Sequence, residues 1–398
     1  MSSPTFSRPL LWNRRDWLRW TGVAAAAGLV GGPFARGEQV ATVPGLKVHT
    51  EVPLNAEPPL DRLIQHWITP IENFYVRSHA PNPEVDRESY RLTVEGLVER
   101  PQSLSLAALN DSFRRVQVTA TMCCADNRRD ELSRIQPIEG VQWEGGPLGN
   151  AVWGGVRLAD VLRQAGLRGD AAHVWFEGLD VHEKKGEAIV FGGSIPLERA
   201  LESADDAAVL IADEMNGAPL NGDHGAPLRT VVPGYIGARS VKWLSKITLS
   251  DRPTSNYYVK DAYRLVNTGT PEEWARADIL YSLPLQSVIC SQSRTTRGDR
   301  PTLTVSGYAV PMGDGPSVIE RVEVSTNGGR TWHTAQLDDR SQPYCWRFWK
   351  AVVPFRADAG QITVRAIDSK WRTQPAEAAW NLKGYMHNSW HSVDIATP

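Results

Sequence analysis

A thiol and two guanidinium groups lie within six positions of one another in the first half of the chain. Residues 121–130 read TMCCADNRRD, so Cys124 is followed by Arg128 and Arg129. Neighbouring cations favour the thiolate form of a cysteine, which is the form that binds metals and acts as a nucleophile. An arginine fork also binds oxyanions, so a metal held by Cys124 beside Arg129 could face an anionic substrate. From these residues alone, a buried structural cysteine beside a solvated run of charges is an equally good interpretation.

The pattern of apolar residues predicts the elements that position this segment. Apolar and polar residues alternate over 116–122, which predicts a half-buried strand that ends at the cysteine pair. The spacing over 158–165 predicts a helix ended by the glycine that follows, and residues 195–201 predict a second short helix with a proline near its first turn. Residues 37–60 are rich in proline and lack periodicity, so we expect an extended arm there. Many glycines and prolines elsewhere predict irregular packing with long functional loops.

The last third of the chain has a different pattern. Alternating apolar residues recur over 303–309, 318–324 and 362–366, and the sequence NGG at 327–329 is a hairpin-turn signal. Strands at this spacing, with turn residues between them, are typical of an immunoglobulin-like sandwich.

The length and composition allow two globular domains. The chain has 398 residues, of which 41% are hydrophobic and 22% charged, and its net charge of -2 gives no reason to expect nucleic-acid binding. We predict an α+β fold class: a mixed domain over 36–265, a linker over 266–285 and an all-β sandwich over 286–398.

An arginine pair precedes a short apolar run near the start of the chain. Arg14 and Arg15 stand before the apolar residues 21–30, a run too short to span a bilayer. This pattern resembles a twin-arginine export signal, which implies that residues 1–35 are a signal peptide and that the protein is exported, already folded, to the periplasm. An uncleaved membrane anchor is the alternative. We expect no membrane span in the mature chain.

Cysteine usage and missing motifs restrict the redox chemistry. The chain has four cysteines; a bond between the adjacent Cys123 and Cys124 would be strained, whereas Cys290 and Cys345 could pair, and the sequence leaves this open. The sequence contains no Cys-x-x-Cys-His motif for covalent haem and no glycine-rich pattern for NAD or ATP.

The cysteine segment resembles a known family motif. The sequence CADNRR at 124–129 resembles the CAGNRR loop of sulfite oxidases and eukaryotic nitrate reductases, with Asp126 in place of the glycine. Further segments resemble that family in the same order along the chain, namely YVRSH at 75–79, VWGGVRL at 152–158, FEGLD at 176–180, residues 215–229, and GARSVKWL at 237–244. The resemblance to the sulfite oxidase family covers nearly the whole mature chain.

This resemblance implies a cofactor and a set of site residues. It implies a single molybdopterin whose molybdenum is ligated by the thiolate of Cys124. The cofactor contacts that it implies are Tyr75, Val76, Arg77, Ser78, His79, Asp180, His224, Arg229, Ser240, Val241 and Lys242. The substrate-pocket residues that it implies are Arg77, Arg129, Trp153, Tyr263 and Arg347.

Three of the pocket residues have alternatives. Arg347 could be a strand-edge arginine stacked on a neighbouring tryptophan, and Trp153 could simply pack in a core. Tyr257 or Tyr258 could take the place of Tyr263, because the run before the linker is one residue longer than expected from the resemblance.

The activity implied by the resemblance is oxidation of sulfite to sulfate by oxygen transfer at molybdenum. Electrons would pass to a separate acceptor such as a c-type cytochrome, and the sandwich domain would form a homodimer. A sulfane dehydrogenase subunit acting on carrier-bound sulfur, a family member that reduces nitrate or a sulfoxide, and a non-enzymatic binding protein are the alternatives.

Overall fold

The computed structural model describes residues 45–184, 186–297, 300–355 and 360–395, and these belong to one compact unit. The predicted signal peptide, residues 1–35, and the start of the predicted arm lie outside the described residues. Within the described ranges, no helix has the length and apolar character needed to cross a membrane.

The strands of the first domain form three sheets. An antiparallel sheet consists of β1 (Lys47–Thr50), β2 (Asn55–Glu57) and β3 (Val76–Arg77), in that order. A second sheet consists of β6 (Arg115–Cys123), β7 (Leu148–Arg157), β10 (Leu210–Met215), β11 (Ala218–Pro219) and β12 (Arg229–Val231), in which β7 lies between β6 and β10, and both β11 and β12 pair with β10. The third sheet consists of β4 (Leu92–Gly96), β5 (Gln102–Leu104), β8 (His173–Lys184), β9 (Glu187–Pro196) and β13 (Lys246–Ser250), in the order β5-β4-β13-β8-β9.

Short helices connect these strands. They are α1 (Leu60–Leu63), α2 (Leu106–Ser112), α3 (Arg129–Ile135), α4 (Leu158–Ala165), α5 (Leu197–Ala200), α6 (Tyr257–Lys260) and α7 (Pro271–Arg276), with single 3-10 turns at Ile71–Asn73 and Gly237–Arg239. Helix α7 lies within the predicted linker and begins after Thr270, whose hydroxyl accepts a hydrogen bond from the Glu273 N–H.

The predicted strand before the cysteine pair is confirmed as β6, because its alternating apolar side chains are buried. The predicted helix over 158–165 is confirmed as α4, and Gly166 ends it with a positive φ of 75° that favours glycine. The second predicted helix is shorter than expected. Ile195 and Pro196 are the last residues of β9, so α5 begins only at Leu197.

Two four-stranded sheets form the second domain. One has the order β14-β15-β19-β18 and the other β17-β16-β20-β21, which confirms the predicted all-β sandwich after an α+β domain. The strands are β14 (Gln286–Arg297), β15 (Arg300–Val310), β16 (Ile319–Ser325), β17 (His333–Thr334), β18 (Gln336–Leu337), β19 (Arg347–Pro354), β20 (Gln361–Asp368) and β21 (His391–Asp394).

The two domains share a core as well as having their own. Leu303, Val322 and Val364 belong to a core inside the sandwich. Tyr308 and Trp346, also from the sandwich, instead pack into the core of the first domain. The sandwich therefore contributes to the structure around the cysteine segment.

Candidate functional site

A cavity brings together residues that are far apart in the sequence. Its wall combines the end of β6, the segment around β3, the β8–β9 hairpin and the turn before β13. The predicted site residues that line it are Tyr75, Arg77, Ser78, His79, Cys124, Asp180, His224, Arg229, Ser240, Lys242 and Tyr263.

Cys124 stands directly after β6, and its backbone N–H donates to the Pro147 carbonyl at 2.9 Å. Its thiol donates to Oδ1 of Asp126. Burial, and then the Asp126 carboxylate, raise the pKa of the Cys124 thiol well above its usual value, although Arg77 lowers it. The charged group that contacts the sulfur is the Asp126 carboxylate, and Arg129 is paired with that carboxylate and not with the sulfur. A bound metal ion would itself deprotonate the sulfur.

Arg77, His79 and Tyr263 form a hydrogen-bonded group in the wall. The Arg77 Nη2 atom lies 2.9 Å from His79 Nε2, and the Tyr263 hydroxyl lies 3.1 Å from the same nitrogen. Burial and the Arg77 charge lower the pKa of His79 well below its usual value, so the ring is neutral and accepts through Nε2. Arg77 also donates to the Ser78 carbonyl at 2.6 Å, but its buried Nε has no partner.

Two further cations lie in the same wall, the half-buried Lys242 and the buried Arg229. Lys242 donates to the Ser78 hydroxyl and to the Asp223 carbonyl, both at 2.8 Å. Burial and the charge of Arg229 lower the pKa of Lys242 to about 7. Burial likewise lowers the pKa of Arg229 to about 10, although it donates to the Ser240 carbonyl at 3.1 Å. Burial in the cavity wall therefore disfavours the charged forms of both side chains.

Burial is also the main cause of the pKa shifts of two further lining residues, Asp180 and His224. Burial raises the pKa of Asp180 to about 6, and its Oδ1 has no hydrogen-bond partner. Burial and then the charges of Arg229 and Lys242 lower the pKa of His224 to about 3, so this ring is neutral.

Arg129, predicted as a pocket residue, does not line the cavity. Its Nη1 lies 2.7 Å from Oδ2 of Asp126, and its Nε donates to the Lys383 carbonyl at 3.0 Å. Trp153 is also behind the wall: it is fully buried, its indole N–H donates to the Ala120 carbonyl, and the Arg229 guanidinium lies 5.0 Å from its ring centre. It contacts the site through Arg229.

The structure corrects the assignment of Arg347. Its guanidinium donates to the carbonyls of Asp338 and Ile319 at 2.9–3.1 Å, so it ties strands of the sandwich together. Val76 and Val241 are buried in segments whose neighbours line the cavity, but neither lines it.

Several lining residues were not predicted from the sequence. Some of them adjoin predicted residues, and this adjacency was the available signal: Phe74, Met122, Asp223, Gly237, Ala238 and Trp243. Phe191 had no such signal. It reaches the cavity because β9 folds back on β8, which stacks its ring on His79 at 4.8 Å.

Comparison with known proteins identifies the family. The model described as "Oxidoreductase molybdopterin binding domain" matches residues 79–258, and that described as "Mo-co oxidoreductase dimerisation domain" matches residues 277–398. The sulfite oxidase of Gallus gallus is 42% identical over 364 residues, which cover 87% of this chain and 77% of that protein. The chain belongs to the sulfite oxidase family. The sulfite oxidase of Arabidopsis thaliana is 35% identical over 387 residues, covering 91% of this chain and 96% of that protein.

A solved structure supports the same assignment. The sulfane dehydrogenase SoxCD from Paracoccus pantotrophus matches with a TM-score of 0.71 and 26% identity, covering 95% of this chain and 93% of that chain. This sulfite oxidase family member is accordingly a molybdenum-dependent oxidoreductase that uses molybdopterin.

The cavity fits that cofactor. Arg229 is a buried cation and Arg77 and Lys242 are half-buried ones. An anionic pterin phosphate would offset the desolvation that lowers the pKa values of Arg229 and Lys242. The partnerless Arg77 Nε and Asp180 Oδ1 are free to bond polar pterin atoms. Among the described residues, no cluster of three His, Cys, Asp or Glu side chains could hold a metal. Cys124, which lines the cavity, would be the protein ligand of the molybdenum that the cofactor carries.

The sandwich domain holds the cysteine loop of this family member in place. The Met386 N–H donates to the Ala125 carbonyl at 2.7 Å, and Asn127 donates to Gln286 Oε1 at 2.8 Å. Gln286 in turn donates to the Cys123 thiol at 3.4 Å. Cys123 is thus a buried structural thiol, and Cys124 is the one in the cavity.

All four cysteines are free. The Cys345 thiol lies 3.3 Å from the Thr119 carbonyl, to which it donates, while Cys290 lies in β14. The open alternative of a bond between them is not realised.

Proposed function

We propose that this protein oxidises sulfite to sulfate. The observation that carries the proposal is a cavity in which the Cys124 thiol shares a wall with Arg77, Arg229 and Lys242. The overall reaction converts sulfite and water into sulfate, two protons and two electrons. The molybdenum, when bound, supplies the two-electron oxidation and the oxygen transfer to sulfur.

The chain's own residues would bind the substrate anion and hold a hydroxyl group beside it. Arg77 offers guanidinium N–H groups to a substrate oxygen, and its side chain is fixed by Ser78 and His79. Tyr263 presents a hydroxyl that His79 orients at 3.1 Å. Since the His79 ring is neutral, its Nε2 accepts from the Tyr263 hydroxyl and fixes the position of that hydroxyl in the cavity wall.

We further propose the partners and the location of the protein. The electrons pass singly to a separate protein, a c-type cytochrome. The sandwich domain forms a homodimer, in line with the dimerisation model that matches it. The arginine pair at Arg14 and Arg15 directs export to the periplasm. Light scattering that gives a monomer mass would contradict the dimer, and a cytoplasmic Arg14→Lys/Arg15→Lys precursor would support the export route.

A steady-state assay tests the activity. Purified holoenzyme should reduce ferricyanide or a c-type cytochrome when sulfite is added, and Arg77→Gln should raise the KM for sulfite while Glu323→Gln, in the sandwich domain, leaves it unchanged. A holoenzyme with full molybdenum that does not turn over sulfite would refute the proposal.

The second candidate is oxidation of sulfur bound to a carrier. It is favoured by the structural similarity to the sulfane dehydrogenase SoxCD and by the Asp126 carboxylate beside Cys124, which disfavours a dianion. A holoenzyme inactive with sulfite but active with a persulfide-bearing carrier would establish this candidate.

A further inference from the structure

Tyr263, which lines the cavity, packs its ring against a residue of the sandwich domain. The ring of Tyr385 is stacked on it, with the two ring centres 5.1 Å apart and the ring planes inclined by 20°. Tyr263 also has a positive φ of 50°, which is uncommon for a residue other than glycine. A backbone conformation of this kind persists only where the surrounding packing holds it. The stacked ring of Tyr385 is therefore one of the contacts that keep Tyr263 in place.

The segment that carries Tyr385 joins β20 to β21 and is fixed by its own hydrogen bonds. The Tyr385 N–H donates to Asn381 Oδ1 at 3.0 Å, and the Tyr385 carbonyl accepts from Asn381 Nδ2 at 2.9 Å. The next residue, Met386, donates its N–H to the Ala125 carbonyl of the cysteine loop at 2.7 Å. The position of the Tyr385 ring is thus defined relative to the loop that carries the metal-ligand cysteine.

Arg129 contacts the same segment, although it does not line the cavity. Its Nε donates to the Lys383 carbonyl at 3.0 Å, and its guanidinium lies 5.5 Å from the ring centre of Tyr385. The cysteine loop therefore holds Tyr385 from both sides in the sequence, through Arg129 and through Ala125. Tyr385 in turn is the residue through which these contacts reach Tyr263 and the cavity.

We propose that Tyr385 is a positioning residue, through which the sandwich domain holds the Tyr263 hydroxyl at its place in the cavity wall. His79 fixes the hydroxyl end of the ring at 3.1 Å, whereas Tyr385 fixes the face of the ring. A single hydrogen bond at the tip leaves the ring free to turn about its side-chain bonds, so both contacts are needed to define the site. The inference rests on the proposed oxidation of a sulfur anion, in which this hydroxyl lies beside the substrate.

A double-mutant cycle separates positioning from a general effect on the fold. Tyr385→Leu removes the stacked ring and should lower kcat for sulfite about two- to tenfold, the factor that corresponds to the usual strength of an aromatic pair. The KM should stay within about twofold, because the arginine that binds the anion is unchanged. In a Tyr263→Phe background the same substitution should change kcat by less than about twofold, since the hydroxyl that Tyr385 positions is absent. Equal losses in the two backgrounds would overturn the proposal.

Two further variants serve as controls. Tyr385→Phe keeps the stacked ring and should keep the wild-type kcat, so a loss as large as that of Tyr385→Leu would contradict the proposal. Phe355→Leu removes a comparable ring in the core of the sandwich, which is 9% exposed and has the Arg294 guanidinium 5.1 Å from its centre. It should lower Tm but leave kcat unchanged. A decrease in kcat like that of Tyr385→Leu would show that loss of stability alone produces the effect.

Fluorine NMR tests the positioning without turnover. Oxidised holoenzyme is prepared with a tyrosine fluorinated on both ring carbons beside the hydroxyl in place of Tyr263, and it is measured at mildly acidic pH. Wild type and Tyr385→Phe should give two separate fluorine signals, because a ring held in place flips slowly, whereas Tyr385→Leu should give one merged signal. Two signals in Tyr385→Leu would overturn the proposal, and so would one merged signal in wild type, even if Tyr385→Leu does not fold. A holoenzyme that fails to oxidise sulfite refutes the proposed function and leaves this comparison valid.

Discussion

Replacing Arg128 with methionine should destabilise the protein strongly, although Arg128 does not touch the cavity. Arg128 is fully buried at the start of α3, with a positive φ of 65°. It pairs with Glu131 through two bonds, Nε to Oε1 at 2.6 Å and Nη2 to Oε2 at 2.7 Å. It also donates to the Ser389 carbonyl of the sandwich domain at 2.9 Å. Methionine keeps the apolar stem and the left-handed backbone, so the change isolates the loss of charge and hydrogen bonds.

The size of the destabilisation follows from the loss of the partner of Glu131. Burial raises the pKa of Glu131, yet Arg128 holds it well below its usual value, so without Arg128 a partly buried carboxylate loses its main partner. Breaking a buried ion pair on one side costs about 3–5 kcal/mol. With an unfolding entropy of about 2.1 cal/mol/K per residue, a chain of 398 residues loses about 4–6 °C in Tm.

Thermal unfolding of the holoenzyme, followed by circular dichroism at a fixed scan rate, measures this shift. The control is Arg321→Met, which removes an arginine that is 45% exposed and paired with Glu323 at 3.1 Å. A surface pair contributes about 0–1 kcal/mol, so this variant should shift Tm by about 1 °C or less. If both variants shift Tm equally, Arg128 does not carry the link between the cysteine loop and the sandwich.

Three further outcomes can be checked with standard measurements. Burial lowers the pKa of Lys242 to about 7 in the folded protein from 10.5 in the unfolded chain, so between these pH values the unfolded chain binds more protons. The free energy of unfolding of the cofactor-free protein should therefore rise with pH from about 7 to 10. Urea titrations should show a smaller rise in Lys242→Met, and an identical rise would refute Lys242 as its source. Tyr263→Phe should lower kcat for sulfite about tenfold or more by removing the hydroxyl that His79 orients, and an unchanged kcat would show that this hydroxyl takes no part in the reaction. Thiol titration of denatured, unreduced protein should find Cys290 and Cys345 both reactive, and a reductant-sensitive Tm would contradict this.

Local patterns were sufficient to predict the strand before the cysteine pair and the helix over 158–165. The alternation over 116–122 gives β6 because one face of that strand packs in a core, and Gly166 ends α4 because it adopts a positive φ. The boundary of α5 was not predictable in this way. It depends on the pairing of Ile195 with Val174 across the β8–β9 hairpin, which the local sequence does not reveal.

The site residues were predicted from short segments that resemble motifs of the family, and most of them line the cavity. One segment contributes Tyr75, Arg77, Ser78 and His79, and other segments contribute Asp180, His224, Arg229, Ser240, Lys242 and Tyr263. Arg129 was predicted to face the substrate, but in the structure it is paired with Asp126, three positions earlier in the sequence. Arg347 was predicted as a pocket residue but lies elsewhere for another reason. Its acceptors, Asp338 and Ile319, come from neighbouring segments of the sandwich, and the strand register decides where the guanidinium points.

The most direct test of the account is whether the Cys124 sulfur binds the molybdenum. Molybdenum content and the sulfite-dependent bleaching of the thiolate-to-metal absorption band should be measured on wild type, Cys124→Ser and Cys123→Ser. Wild type and Cys123→Ser should contain molybdenum and show a band that sulfite bleaches, because Cys123 is bonded to Gln286 outside the cavity. Cys124→Ser should lose the band and the turnover while keeping its fold. A Cys124→Ser protein with an intact, bleachable band would contradict the account.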